Sequence, residues 1–154
     1  MKNTKSKAAE NRDRIIAEAA TQFRARGFSG IGVADLMRRA GLTHGGFYAH
    51  FSSKEELMDL ACRRAVGDML ADWRARAANA PDDALGAIVR HYLSPTHRDH
   101  AETGCLMAAL GPEAAREVGP VRQTVTECLA EVLDTLAGLV PLADPAERRK
   151  HAIR

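Results

Sequence analysis

The residues best suited to chemistry lie between Gly41 and Leu57, in the stretch GLTHGGFYAHFSSKEEL. Five of its polar side chains fall within twelve residues and offer a hydroxyl, two imidazoles, a phenol and an ammonium group. They are Thr43, His44, Tyr48, His50 and Lys54. Such groups donate hydrogen bonds to phosphate oxygens and base edges. Their types and spacing therefore point to nucleic-acid binding.

Two short helices are predicted to position these side chains. The segment Val33–Ala40 (VADLMRRA) has its apolar residues at helical spacing. Gly41 then breaks the helix, and Thr43 can cap a second short helix that carries Phe47 and Phe51 on one face. Two short helices joined by a tight glycine-containing turn form a helix-turn-helix, which docks its second helix in the major groove of DNA.

A long helix is predicted to follow directly. Ser53 and Glu56 have the spacing of a capping box, with serine at the N-cap and glutamate three residues later. The apolar pattern then continues to about Ala78, which is long enough for one helix to leave a first domain and enter a second.

The combined pattern resembles the DNA-binding domain of the TetR-type (tetracycline-repressor-like) family of bacterial transcriptional regulators. The resemblance covers roughly residues 10–60. Its matching positions are Gly41, Leu42, Thr43, Phe47, Tyr48, His50, Phe51, Ser53, Lys54, Glu55, Glu56 and Leu57. It implies an all-α fold: an N-terminal three-helix bundle with the helix-turn-helix, followed by a helical ligand-binding and dimerisation domain.

The expected DNA-binding residues are those of the second helix and its flanks. They are Thr43, His44, Gly45, Phe47, Tyr48, His50 and Lys54. By resemblance, Tyr48 and Lys54 contact phosphates, while Phe47 and Phe51 also pack the small core. His50 is either a phosphate ligand or a packing residue. Gly45 allows the backbone to approach DNA closely.

The charge distribution supports a polyanion partner for the N-terminal third. Residues 1–54 hold ten Lys or Arg and four Asp or Glu, whereas residues 55–154 hold twelve and sixteen. A basic third attached to an acidic body is typical of a nucleic-acid-binding domain joined to a second domain. The expected partner is a double-stranded DNA operator.

The expected domain organisation has three parts. Residues 1–9 form a flexible basic tail, residues 10–53 form the DNA-binding domain, and residues 54–154 form the helical effector-binding domain. The first helix is predicted over residues 11–26, with Gly27 as its C-cap. In the second domain, residues 96–103 are predicted as a polar loop, and Gly111-Pro112 is predicted to end a short helix.

The resemblance implies a ligand-responsive regulator, a repressor released from its operator by a small apolar or electrophilic effector. The candidate pocket residues are Met69, Trp73, Tyr92, Cys105, Met107 and Leu110. Ligand pockets are mostly apolar, so each of these residues is also compatible with plain core packing.

Cys105 has three interpretations. A predicted helix start at Gly104-Cys105-Leu106 lowers a thiol pKa, which favours a sensor of electrophiles or oxidants. Alternatively, the thiol fills a small buried gap. A metal site with His91, His97 and His100 has irregular spacing that matches no compact ligand motif. We therefore expect no metal and no cofactor.

Several other classes are disfavoured by the sequence. No apolar run approaches the ~20 residues needed to cross a bilayer, so no membrane association is expected. Three cysteines argue against a disulfide framework and for the cytoplasm. No phosphate-cradling glycine loop, HExxH-like motif or paired nucleophile and base is present, which argues against an enzyme. A helical interaction module without the DNA function is the remaining alternative.

The end of the chain has the signals of a helix start at Asp144-Pro145-Ala146-Glu147. The resemblance implies that family members continue through this helix and one more to build a dimer interface. The last helices are expected to be missing from this chain, which is then either a truncated form or a protein that dimerises by other surfaces. A homodimer is thus expected for the family, whereas impaired dimerisation is expected for this chain.

Overall fold

The computed structural model describes the backbone of residues 2–153 and the side chains of residues 6–153, so Met1 and Arg154 lie outside it. The all-α prediction is confirmed. The helices are α1 (Lys2–Arg26), α2 (Val33–Arg39), α3 (Lys54–Asn79), α4 (Ala84–Tyr92), α5 (Pro95–Asp99), α6 (Leu106–Ala114), α7 (Pro120–Leu139) and α8 (Pro145–Ile153). Three short 3-10 helices lie between them, at His44–Ala49, Pro81–Asp83 and Ala101–Thr103.

Two left-handed glycines shape the N-terminal three-helix unit. Gly27 has φ 79° and donates its N–H to Phe23 O at 2.8 Å, which ends α1 as predicted. Gly41 has φ 70° and follows α2, and the next amide, that of Leu42, bonds back to Met37 O at 2.8 Å. These turns reverse the chain twice and bring α1 and α2 together around a common core.

Residues 2–9, which were predicted as part of a flexible basic tail, are helical in the structure. Helix α1 begins at Lys2, so residues 2–9 form its first two turns. The reason lies in the local sequence, because five of residues 2–9 are lysine or alanine, which are good helix formers, and no glycine or proline precedes Gly27. Ser6 also donates to Glu10 Oε1 at 2.9 Å, one turn further along the helix.

Helix α3 joins the two halves of the molecule. Its predicted N-cap is confirmed, because the Ser53 hydroxyl accepts the Glu56 N–H at 3.2 Å. The Glu56 carboxylate reaches back to the Ser52 N–H at 2.7 Å, and this bond is the first cause that lowers the pKa of Glu56. At 26 residues the helix is about 39 Å long, and its apolar face packs on α1, α4 and α7. One continuous core therefore runs through both domains.

The predicted polar loop at residues 96–103 is wrong in part. Helix α5 begins at Pro95 because the Ser94 side chain accepts the His97 N–H at 3.2 Å and Pro95 occupies the first helical position. A 3-10 turn, Ala101–Thr103, follows it. A serine followed by a proline can mark the end of one helix and also the start of the next. Here Ser94-Pro95 starts α5.

Helix α6 continues through Gly111-Pro112, where the sequence predicted its end. Proline removes one N–H from the helix ladder, yet Ala115 N–H still bonds to Gly111 O at 3.0 Å. Burial of Leu110 and Ala114 in the core stabilises this continuation. The extra turn carries Glu113, whose contacts with the N-terminal unit are described below.

Lys54 holds the connection between α1 and α2 from inside the DNA-binding unit. Its ammonium donates to Phe28 O at 2.6 Å and to Ile31 O at 2.8 Å. It also lies 5.8 Å from the centre of the Phe23 ring. The Lys54 ammonium thus has two of its three donors committed to backbone carbonyls, while its predicted contact with a DNA phosphate stays a prediction.

Replacing Lys54 with methionine, which keeps the aliphatic stem, should destabilise the fold. Loss of the ammonium leaves two half-buried carbonyls without a donor, which costs about 1–3 kcal/mol. Urea unfolding would measure the change. Lys150→Met removes an exposed pair with Glu147 and should change the free energy of unfolding by less than about 0.5 kcal/mol. Equal stability of both variants would contradict the internal role of Lys54.

Candidate nucleic-acid interface and ligand groove

The second helix of the motif is a 3-10 helix, His44–Ala49, referred to below as the recognition helix. Thr43 stands at its N-cap with extended backbone, as predicted, but its hydroxyl makes no capping bond. The Thr43 carbonyl instead accepts the Gly46 N–H at 3.0 Å. The Thr43 hydroxyl thus remains available to an outside acceptor.

Two phenylalanines fix the recognition helix to the core. Phe47 is 1% exposed, and its ring centre lies 5.4 Å from that of Phe51, which is also buried. The assignment of Phe47 as a DNA contact is therefore wrong, because its side chain has no access to a ligand. Full burial of such a ring contributes about 1.5–3 kcal/mol, which holds the short helix in place.

The outer face of the recognition helix is open. Thr43, His44 and Gly45 are exposed at its N-terminus, and Tyr48 is 71% exposed. The Tyr48 ring packs edge-on against Phe47 at 5.2 Å, which orients its hydroxyl away from the core. A β-carbon on Gly45 would meet nothing within 4 Å, so the fold itself does not require glycine there.

Arg12 is a positioning residue that sequence reasoning missed. From α1 it donates to His50 O at 3.3 Å and to Glu56 Oε1 at 3.0 Å. Its guanidinium also lies 4.9 Å above the Phe51 ring. Arg12 thereby ties the end of the recognition helix, half-buried His50 included, to the start of α3. The contacts span 38 and 44 residues, so no local pattern could reveal them.

Glu113 connects the second domain to the DNA-binding unit. Its carboxylate accepts the Phe28 N–H at 3.1 Å and the Ser29 N–H at 3.2 Å, across more than eighty residues of sequence. A β-carbon on Gly27 would stand 2.7 Å from Glu113 Oε2, so the carboxylate needs glycine there. Helix α6 is thus bonded directly to the turn that precedes α2.

An apolar groove lies between α3, α4, α6 and α7, with a volume of about 320 Å³. Four of the expected pocket residues line it: Trp73, Tyr92, Cys105 and Met107. Two expected members do not. Leu110 is fully buried in the core, and Met69 faces a different cavity on the α1 side of α3. Both are separated from the groove because α3 and α6 turn these side chains towards neighbouring helices.

The three cysteines differ in their surroundings. Burial raises the pKa of Cys62 to about 12 and that of Cys128 to about 11. Cys105 is 8% exposed, stands at the N-cap of α6 and lines the groove. Beside it, burial and then the neighbouring Cys105 raise the pKa of Tyr92. Of the three cysteines, only Cys105 lines this groove, which is large enough for a small ligand.

Neither a cluster of metal-ligating side chains nor a membrane-spanning helix is found among the described residues. Within this part of the chain, no three His, Cys, Asp or Glu side chains come together in a way that could hold a metal ion. His91, His97, His100 and Cys105 accordingly do not form the cluster considered above. None of the described helices is long and apolar enough to cross a membrane.

The fold and the exposed recognition helix define a helix-turn-helix regulator. A family model for bacterial regulatory proteins of the tetR family matches residues 15–61, and a model for the tetracyclin repressor-like C-terminal domain matches residues 81–150. The chain belongs to the TetR family of bacterial regulators, as its sequence predicted.

Individual relatives agree with this assignment. The HTH-type transcriptional regulator TtgR of Pseudomonas putida is 37% identical over 93 residues, 57% of this chain and 42% of TtgR. Matches to the curated relatives YdgC, AcrR and TtgR span less than half of their lengths.

Two solved structures share the fold at low identity. A TetR transcriptional regulator from Chloroflexus aurantiacus J-10-FL is 24% identical with a TM-score of 0.78, covering 96% of this chain and 81% of that one. AibR, solved with isovaleryl coenzyme A and operator DNA, is 20% identical with a TM-score of 0.63, covering 93% and 82%. At these identities the likeness concerns the fold alone.

Alkylation with iodoacetamide at neutral pH should modify Cys105 faster than Cys62 or Cys128. The raised pKa values keep the last two protonated and unreactive, whereas the Cys105 thiol borders the groove. Mass spectrometry of peptides would give each rate, and the three rates should converge in denaturant. If Cys105 reacts slowest, it is a buried packing thiol.

Replacing Glu113 with glutamine should loosen the turn at residues 27–29. An amide offers one acceptor oxygen and would turn its NH₂ group against the second backbone N–H. Hydrogen exchange at Phe28 and Ser29 should accelerate about tenfold, corresponding to the loss of a charge-assisted bond. Glu117→Gln, one turn further on, is the control and should leave these amides protected. Unchanged exchange in both variants would contradict the role of the Glu113 carboxylate as acceptor for these two amides.

Proposed function

We propose that this chain is a ligand-responsive, DNA-binding transcriptional regulator, a repressor released from its operator by a small apolar or electrophilic effector. The observation that carries the proposal is the recognition helix, fixed by Phe47 from below and open at Thr43, His44 and Tyr48 above. Membership of the TetR family supports the same function. The proposal makes the chain a cytoplasmic regulator and not an enzyme.

The proposed docking places the recognition helix in the major groove. Its N-terminus presents the Thr43 hydroxyl, the His44 imidazole and free backbone N–H groups to base edges and phosphates. The Tyr48 hydroxyl, with no internal partner among the described residues, would bind a phosphate. His50 is held at its carbonyl by Arg12, so its ring would reach DNA only at the edge of the interface.

The apolar groove is the proposed effector site. Its volume of about 320 Å³ suits a small ligand, and its walls are nearly free of polar atoms. An apolar molecule would bind there by burial of its surface, and an electrophile could also react with Cys105. Helix α6 forms part of the wall and carries Glu113 eight residues after Cys105, which offers a direct link from ligand to DNA-binding unit.

The proposal includes a homodimer on DNA. A palindromic operator has two half-sites about one helical turn apart, and reading both requires two linked recognition helices. Sedimentation of the protein–operator complex would give the number of chains bound. A single chain on each operator would contradict this part of the proposal and would show that one recognition helix alone binds the DNA.

The direct experiment is capture of genomic DNA fragments by the full chain, followed by sequencing and by anisotropy titration of the enriched site. A regulator should enrich a small set of sites and bind them much more tightly than random DNA at the same salt concentration. Enrichment of no particular sequence would contradict specific operator binding and would favour a helical interaction module.

Two substitutions on the open face should affect DNA binding differently. Tyr48→Phe removes a neutral phosphate donor, so affinity should fall severalfold on all sequences, about 0.5–1.5 kcal/mol, without changing the salt dependence. His44→Ala should instead change the preference between operator variants, since base contacts contribute about 1–3 kcal/mol of discrimination.

The chain offers matched controls for both variants. Tyr92→Phe alters the only other tyrosine, inside the second domain, and His151→Ala alters an exposed histidine of α8. Neither should change operator affinity. If Tyr48→Phe and His44→Ala bind as the parent chain does, DNA docks on another face.

A further inference from the structure

A second cavity lies between α1 and α3 and shares Trp73 with the apolar groove. We call it the junction cavity, because it is enclosed by α1 of the DNA-binding unit and by α3, α4, α5 and the loop at residues 103–104. Its volume is about 430 Å³, within the range of small-molecule sites. Its walls include the apolar side chains of Ala17, Ala20, Met69 and Trp73.

Arg24 supplies a positive charge to the junction cavity. Its Nε donates to Glu102 O at 2.9 Å, and its Nη1 lies 3.5 Å from Gly104 O. These partners are neutral, and among the side chains of residues 6–153 no carboxylate lies within 4 Å of this guanidinium. Burial lowers the pKa of Arg24 and the charge of Asp68 opposes this shift, and the arginine keeps its proton.

The two carboxylates that line the cavity are each bonded to another arginine, although Asp68 also acts on Arg24 from beyond 4 Å. Asp68 is bonded to Arg64 at 2.8 Å, and Asp72 to the Nε of Arg76 at 2.6 Å. Arg76 makes no other hydrogen bond within the described residues, so its Nη groups add a second set of donors. Burial and then Arg76 lower the pKa of His91, which keeps that imidazole neutral at neutral pH.

We propose that the junction cavity binds a small organic carboxylate, with the carboxylate on Arg24 and an apolar body between Met69 and Trp73. A guanidinium with free donors and no acidic partner matches an anion, and its planar fork matches a carboxylate. Inorganic anions would leave the apolar walls without a partner. The neighbouring groove has no cationic lining residue, so the two sites select different ligands.

Binding at this site would also bear on the contact between the domains. Arg24 belongs to α1, whereas the carbonyls of Glu102 and Gly104 belong to the second domain. A bound carboxylate would compete with those carbonyls for the same guanidinium. The inference does not rest on the proposed function, because binding is measured without DNA.

Trp73 makes the site testable, since it is the only tryptophan of the chain and lines the junction cavity. The full chain would be titrated with benzoate, at constant ionic strength and neutral pH, while indole fluorescence is followed. Benzamide, its neutral isostere, would be titrated in parallel. We expect a saturable change with benzoate and an affinity for benzamide at least about tenfold weaker, because the charge-assisted bonds are lost.

Arg24→Gln should weaken benzoate binding at least about tenfold, and Arg76→Gln severalfold. Arg26→Gln, on the exposed side of the same helix end, is the matched control and should bind as the parent chain does. Circular dichroism would verify folding of each variant. If Arg24→Gln does not fold, the benzamide comparison and Arg76→Gln decide the question.

Three results would overturn the inference. Equal responses to benzoate and benzamide would place both molecules in the apolar groove, which Trp73 also borders. An unchanged benzoate affinity in folded Arg24→Gln, or in folded Arg76→Gln should the first variant fail to fold, would remove the cationic site. Absence of any saturable change with benzoate would show that the cavity takes no such ligand.

Discussion

The rest of the structure depends on the way in which one turn, residues 27–31, is held from both sides. Lys54 binds its carbonyls from within the DNA-binding unit, and Glu113 binds its amides from the second domain. Both bonds are charge-assisted, the stronger kind of hydrogen bond. The turn sets the direction of α2, and α2 supports the recognition helix, so the exposed face that would meet DNA is oriented by two side chains far from it.

Local signals in the sequence predicted the parts of the fold that local interactions determine. Gly27 and Gly41 end helices because their backbones are left-handed, and the Ser53–Glu56 cap starts α3 through neighbouring atoms. The confirmed family assignment rests on such features. The sequence could not predict that Lys54 points inward, that Glu113 binds the amides of the turn, or that Arg12 connects the recognition helix to α3. Each of these contacts joins residues at least twenty positions apart.

Some sequence patterns in this chain are compatible with more than one structure. Proline at position 112 was interpreted as a helix end, but burial of the following alanine offsets the lost hydrogen bond. Phe47 lies in the same short helix as Tyr48, and only packing shows that one ring faces the core while the other faces outward. The sequence predicts one pocket for the apolar residues of α3, but Met69 lines only the junction cavity, whereas Trp73 borders both that cavity and the apolar groove.

Helix α3 limits where the DNA-binding unit can be cut and joined to another protein. A cut at the expected boundary after residue 53 would separate the turn at residues 27–31 from Lys54 and would separate Arg12 from Glu56. A transplanted DNA-binding unit must therefore bring the first turns of α3 with it. Lys54 and Glu113 both bond to main-chain atoms of the turn, but Phe28 and Ile31 are buried in the core and Gly27 and Gly30 leave no room for a β-carbon, so only Ser29 is free to vary. The turn, Lys54 and Glu113 therefore have to be exchanged between proteins as one unit.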